Sequence, residues 1–84
     1  MNTVRIAIAG FGGVGRATAS LLLSRRERYR DVYGADMRLV AVCGSRSGAK
    51  SADGLEEAHL STLADGLSGP TFIEESGADI LIEA

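Results

Sequence analysis

The feature that most constrains this 84-residue chain is a run of four glycines in six residues, Gly10-Phe11-Gly12-Gly13-Val14-Gly15. The run follows Thr3–Ala9, where β-branched Val4, Ile6 and Ile8 alternate and Ala7 and Ala9 are small, the mark of a strand buried on both faces. From about Val14 to Tyr29 the apolar spacing becomes helical, with Val14, Ala17, Thr18, Leu21 and Leu22 on one side and Arg16, Ser20 and Ser24 on the other. A strand, a glycine turn and a helix in that order fit the dinucleotide-binding pattern G-x-G-x-x-G. Gly10 permits the tight turn, Gly12 lets backbone approach a pyrophosphate, and Gly15 lets helix and strand pack closely. The helix N-terminus adds free N–H donors and partial positive charge. A sharp turn alone would not need Gly13 as well.

The rest of the chain extends this start. Arg25, Arg26, Arg28 and Arg30 finish the first helix, where cations complement its dipole, and Gly34 stops it. Met37–Cys43 reads as a second strand, and Gly44–Gly54 as a Ser/Gly-rich loop. Asp53 is expected to cap a helix through Asp65, with Leu55, Ala58 and Leu63 as its buried edge. Gly66 to Gly69 breaks it, Pro70 opens a short helix through Glu75, and Ala78–Ala84 forms a third buried strand. Strands alternating with helices predict an α/β fold with a parallel sheet of about three strands between layers of helix. Such a sheet has an unprotected edge, which predicts a larger protein or an assembly of copies.

Composition removes competing classes. Aromatic residues are 5% with no Trp, so a stacking platform for single-stranded nucleic acid is not expected. The formal net charge of -2 gives no reason to expect nucleic acid or an anionic membrane as partner. Residues 1–50 hold all nine cations against three acids, and residues 51–84 hold eight acids and no cation. Both halves carry regular apolar patterns, so this reads as two faces of one folded unit. No apolar stretch approaches the ~20 residues that span a bilayer, and a cytoplasmic protein is expected. One cysteine excludes an internal disulfide, and no zinc-site spacing or other metal site is seen.

The fingerprint's second half is an acid at the end of the second strand, which holds the adenosine ribose 2′-hydroxyl. Here the strand runs into Cys43-Gly44-Ser45-Arg46-Ser47 with no acid before Asp53. An acid there would repel a 2′-phosphate, whereas Arg46 and two hydroxyls would grip one, so NADP is favoured and NAD remains the alternative. Cys43 reads as a small buried filler rather than a reactive thiol, and His59 as facing solvent or a local partner. Glu83, at the carboxyl end of the third strand, points toward the edge where such sheets bind ligands.

The run Val4–Arg16 resembles the opening of homoserine dehydrogenases, which begin with an apolar strand and GFGxVG followed by Arg, Lys or Asn. Tyr33-Gly34, Ser45-Arg46 and the ending Ser76–Ala84 also resemble that family's pattern. The resemblance implies a Rossmann-like dinucleotide-binding portion spanning residues 1–84. It implies Gly10, Phe11, Gly12, Gly13, Val14 and Gly15 as cofactor contacts, with Gly44, Ser45 and Arg46 near the adenosine 2′ position. It also implies interconversion of homoserine and aspartate 4-semialdehyde by hydride transfer, on the threonine and methionine pathway. Many relatives carry Asp where Gly44 stands. The family's catalytic Lys and acidic substrate ligands lie beyond residue 84, so no catalytic residue is assigned within this chain. Two other readings stay open: a different amino-acid or semialdehyde dehydrogenase, and a non-catalytic nucleotide-binding or redox-sensing module.

Overall fold

The computed structural model describes residues 2–84. In chain order it has β1 (Asn2–Ala9), α1 (Gly13–Tyr33), β2 (Ala35–Cys43), β3 (Ser47–Lys50), α2 (Glu57–Leu60), β4 (Ala64–Asp65), α3 (Gly69–Glu75) and β5 (Ile80–Glu83). The strands form one sheet in the order β4-β3-β2-β1-β5, with β1 parallel to both β2 and β5. The sheet therefore has five strands where about three are expected. The extra two come from the expected loop and from the end of the expected helix: β3 pairs antiparallel with β2, and β4 antiparallel with β3.

Alternation along β1 divides the core. Ile6 and Ile8 pack on one face with Ala19, Leu39, Val42, Leu55 and Leu60, beneath α1 and α2. Ala7 lies on the other face with Ala41, Cys43 and Phe72, beneath α3. Small strand residues on that second face let a seven-residue helix close it with one aromatic ring. The result is the expected α/β/α layering. Cys43 is a buried member of this second cluster, as its size suggests.

A bulge keeps the two faces in register. Ile6 pairs with Leu39 but Ala7 pairs with Ala41, which leaves Val40 as an extra residue in β2. The insertion reverses the parity of the strand, so Leu39 and Val42 share one face while Ala41 and Cys43 share the other. It also turns two carbonyls outward: Leu39 accepts from the Leu55 N–H at 2.8 Å, and Val40 from the Ser51 N–H at 2.9 Å. These bonds pin the 51–55 segment to the sheet.

Three sequence expectations are corrected. The buried stripe of α1 is Gly15 and Ala19, flanked by half-buried Thr18, Leu22 and Leu23, whereas the expected Val14, Ala17 and Leu21 are exposed. Small residues let the helix lie close on the sheet, and the larger ones at Val14 and Leu21 are turned outward. No helix starts at Asp53, because Gly54 adopts φ +107°, a left-handed conformation incompatible with a helical first turn. The helix there is a single turn capped by Glu56, whose side chain and that of His59 bond each other's backbone N–H groups. Of the predicted edge, Leu55 is buried, Leu63 is half-buried, Ala58 is exposed, and Leu60 is buried instead. The last strand is exposed rather than buried, with Ile80 and Leu81 both over 40% accessible, because nothing among the described residues pairs beyond it.

The arginine-rich end of α1 is tied to the start of the central strand, β2. Gly34 ends the helix at φ +65°, and its N–H caps the Arg30 carbonyl. Arg26 then grips buried Asp36 with two bonds of 2.7 and 3.1 Å, joined by Arg38 at 2.8 Å and Arg30 at 3.8 Å. The Arg26 hydrogen bond, more than any other influence, holds the Asp36 carboxyl far below the usual carboxylate range. At least two of the four arginines thus serve the fold through an ion pair, in addition to any effect on the dipole. Among the described residues no helix is long and apolar enough to cross a membrane.

Candidate cofactor site

The glycine turn lies at the carboxyl end of β1, between the carboxyl ends of β2 and β5, where the connections leave the sheet on opposite faces. Open α/β sheets bind ligands in the crevice at such a point. Gly10 is pinned there: its N–H donates to the Cys43 carbonyl at 2.8 Å, and its φ of +96° favours glycine. A methyl at Gly10 would stand 3.1 Å from the Ala84 carbonyl carbon and closer still to its oxygen. Gly15 is tighter yet, since a methyl there would lie 2.9 Å from the Gly10 carbonyl carbon and well inside contact with its oxygen.

Gly12 and Gly13 differ. A methyl at either position meets nothing within 4 Å, and both residues are exposed. Gly12 is the N-cap of α1 in extended backbone, with no side chain capping the helix and no acid in its first turn. The N–H groups of the first turn therefore have neither an intrahelical acceptor nor a side-chain cap. Val14 projects outward at 72% exposure, while Phe11 is half-buried against the core.

Beside the turn is a cleft of about 430 Å³ lined by Ala9, Gly10, Cys43, Gly44, Leu81 and Glu83 from the strand ends and by Gly69, Pro70, Ile73 and Glu74 from α3. It gathers Gly10, Gly44 and Glu83 of the expected site residues in one place. Ser45 and Arg46 lie outside it, at the exposed tip of the β2–β3 hairpin. The hairpin is closed by the Gly44 N–H donating to the Ser47 carbonyl at 2.8 Å. The Arg46 carbonyl accepts from the Gly66 N–H at 2.8 Å, and the Ser45 carbonyl from the Ser68 hydroxyl at 3.4 Å. Among the described residues no carboxylate pairs with the Arg46 side chain. His59 does not line this cleft, and its Nδ1 is taken up by the Glu56 N–H at 2.8 Å.

Gly69, Pro70 and Glu74 are cleft residues that the sequence marks only as a helix start. Their signal was the Gly-Pro step after β4, which fixes where α3 begins and so what the cleft's second wall contains. Gly48 was also passed over: a methyl there would press on the Val42 and Leu67 carbonyl oxygens, so its absence lets β3 and the segment before α3 close together.

This chain is 32% identical over 98 residues to a protein named NAD(+)-dependent homoserine dehydrogenase from Pseudomonas canavaninivorans. The similarity covers all of this chain and 28% of that relative's length. No protein-family model matches the chain, and no solved structure does.

Proposed function

We propose that the chain is the cofactor-binding portion of a nicotinamide-dependent oxidoreductase, with the pyrophosphate of the dinucleotide seated at the start of α1. One observation carries this reading. The crowded glycines, Gly10 and Gly15, are explained by the fold alone, whereas Gly12 and Gly13 meet nothing and have no structural reason to lack a side chain. Open space over uncapped N–H groups at a helix N-terminus suits an anion. The likeness to an NAD(+)-dependent homoserine dehydrogenase supports the same reading and suggests the reaction: hydride transfer between homoserine and aspartate 4-semialdehyde in the intact protein. When bound, the cofactor would supply or accept that hydride, and this chain's share is binding and orientation. No catalytic side chain is assigned within residues 2–84. A cytoplasmic homo-oligomer acting on a small amino-acid substrate belongs to the same proposal.

In this reading Glu83 and the Gly44 backbone face the cleft from two strand ends, and a carboxylate there suits a ribose hydroxyl better than a phosphate. Ser45 and Arg46, at the hairpin tip with an unpaired guanidinium, supply a 2′-phosphate grip, so we favour NADP. The second reading, NAD, is favoured by the relative's name. Titrating parent and Arg46→Ala proteins with NADPH and NADH separates them. The NADP reading expects the substitution to weaken NADPH selectively, by about tenfold for one charge-assisted phosphate contact. Equal NADPH affinity in the two proteins would assign the pocket to NAD.

A further inference from the structure

The first cation on α1 is Arg16, one turn into the helix that follows the glycine turn. Its guanidinium carbon lies 6.0 Å from the centre of the Phe11 ring. Its Nη1 donates to the Leu60 carbonyl at 3.1 Å. Leu60 is the last residue of α2, so that carbonyl has no intrahelical partner and accepts the arginine readily. The Leu60 side chain is buried in the same cluster that Phe11 packs against. A second tie between the helices runs one turn further along α1, from the Ser20 hydroxyl to the Glu57 carboxylate at 3.0 Å.

We propose that Arg16 is a positioning residue for the phosphate-binding turn: it clamps Phe11 against the core and so fixes the backbone of residues 11–14. The proposal rests on the dinucleotide reading above. Four glycines make the turn conformationally loose, and loose donors cost affinity when a ligand must order them. Between Gly10 and Gly15 the side chains are only those of Phe11 and Val14, and Val14 is turned to solvent. Phe11 is therefore the one side chain that anchors the turn between its pinned ends, Gly10 and Gly15. The core holds it from beneath, and Arg16, itself tethered to α2, covers the ring. With Nη1 held by the Leu60 carbonyl and the guanidinium over the ring, Arg16 acts through Phe11 rather than on the phosphates.

The test is a titration of the full chain with NADPH and NADH at several salt concentrations, comparing parent, Arg16→Ala, Arg16→Lys and Phe11→Leu, each with its melting curve. Arg16→Ala is expected to bind about 3- to 10-fold more weakly, the scale of one hydrogen bond and one exposed cation–π contact. Its salt dependence should match the parent's, since no direct charge–phosphate contact is lost. Arg16→Lys should restore most of the affinity, and Phe11→Leu should lose it as Arg16→Ala does, which also carries the test if Arg16→Ala folds poorly. Unchanged affinity in folded Arg16→Ala overturns the clamp. So does a loss accompanied by a weaker salt dependence, which would place the guanidinium on the phosphates. A folded parent that binds neither nucleotide refutes the dinucleotide reading itself, and the clamp with it.

Discussion

Substituting Gly15 by alanine separates a packing role from a binding role at the glycine turn. The added methyl would lie 2.9 Å from the Gly10 carbonyl carbon and 3.5 Å from the Ala84 side chain. Ordinary carbon–carbon contact is about 3.5–4.0 Å, so the turn or the helix must move by more than half an ångström against backbone that Cys43 and Ala84 hold in place. Overpacking of this kind costs about 1–3 kcal/mol, and occasionally more. The clash with the Gly10 carbonyl oxygen puts the cost at the upper end, about 2–3 kcal/mol. Alanine's better helix propensity returns up to about 1 kcal/mol, leaving a net loss of about 1–2 kcal/mol with that return in full. For a domain of this size each kcal/mol moves the melting temperature by roughly 4–8 °C, so Gly15→Ala should melt about 5–15 °C below the parent. Gly12→Ala is the control. Its methyl meets nothing within 4 Å, and removing a glycine's unfolded-state freedom is worth about 0.4–1 kcal/mol where the conformation is allowed. It should melt close to the parent yet bind dinucleotide at least tenfold more weakly. Thermal melts by circular dichroism, paired with titration, read both. A Gly15→Ala protein that melts with the parent would refute the close-approach argument. A Gly12→Ala protein with intact affinity would show that the open space above the helix start is not where the phosphates lie.

Three further outcomes follow from the geometry. The Asp36 carboxyl titrates far below its unfolded value near 3.9, so its contribution is complete at neutral pH and is lost as pH falls below about 4 toward the folded value. Asp36→Asn should therefore cost about 2–4 kcal/mol at pH 7 by stranding Arg26 and Arg38, and the difference from the parent should shrink in acid denaturation followed below pH 4; a constant difference would contradict the ion-pair account. Gly48→Ala should lower stability by about 1–3 kcal/mol through the Val42 and Leu67 carbonyls, measurable by urea titration, and a neutral effect would mean that β3 and the 67–68 segment do not approach closely. Arg46→Ala should leave melting unchanged, its side chain being exposed and unpaired, so that any lost NADPH affinity reports on binding alone.

What the sequence reveals here is set by how local the cause is. β1, the glycine turn, α1 and β2 are legible because each depends on its own alternation or on glycines with local conformational demands, and Gly34 and Pro70 mark helix ends by backbone chemistry. The β3–β4 pairing is not legible: Ser47-Gly-Ala-Lys50 and Ala64-Asp65 have little strand propensity and are held by the hairpin and by close backbone approach at Gly48. The buried face of α1 is misread because size was taken for burial, when close approach to the sheet demands Gly15 and Ala19. The bulge at Val40 leaves no mark in an all-apolar run. Of the candidate site, the glycines and Glu83 are found from sequence, while the α3 wall of the cleft depends on a crossover that no local pattern encodes.

The most direct test of the central claim, that the glycine turn is a dinucleotide phosphate site, is calorimetric titration of the folded chain with NADPH and with NADH. Saturable binding of one molecule per chain is predicted, tighter for NADPH and weakened by Gly12→Ala. A chain shown to be folded that takes up neither nucleotide would contradict the claim and reduce the four glycines to a turn.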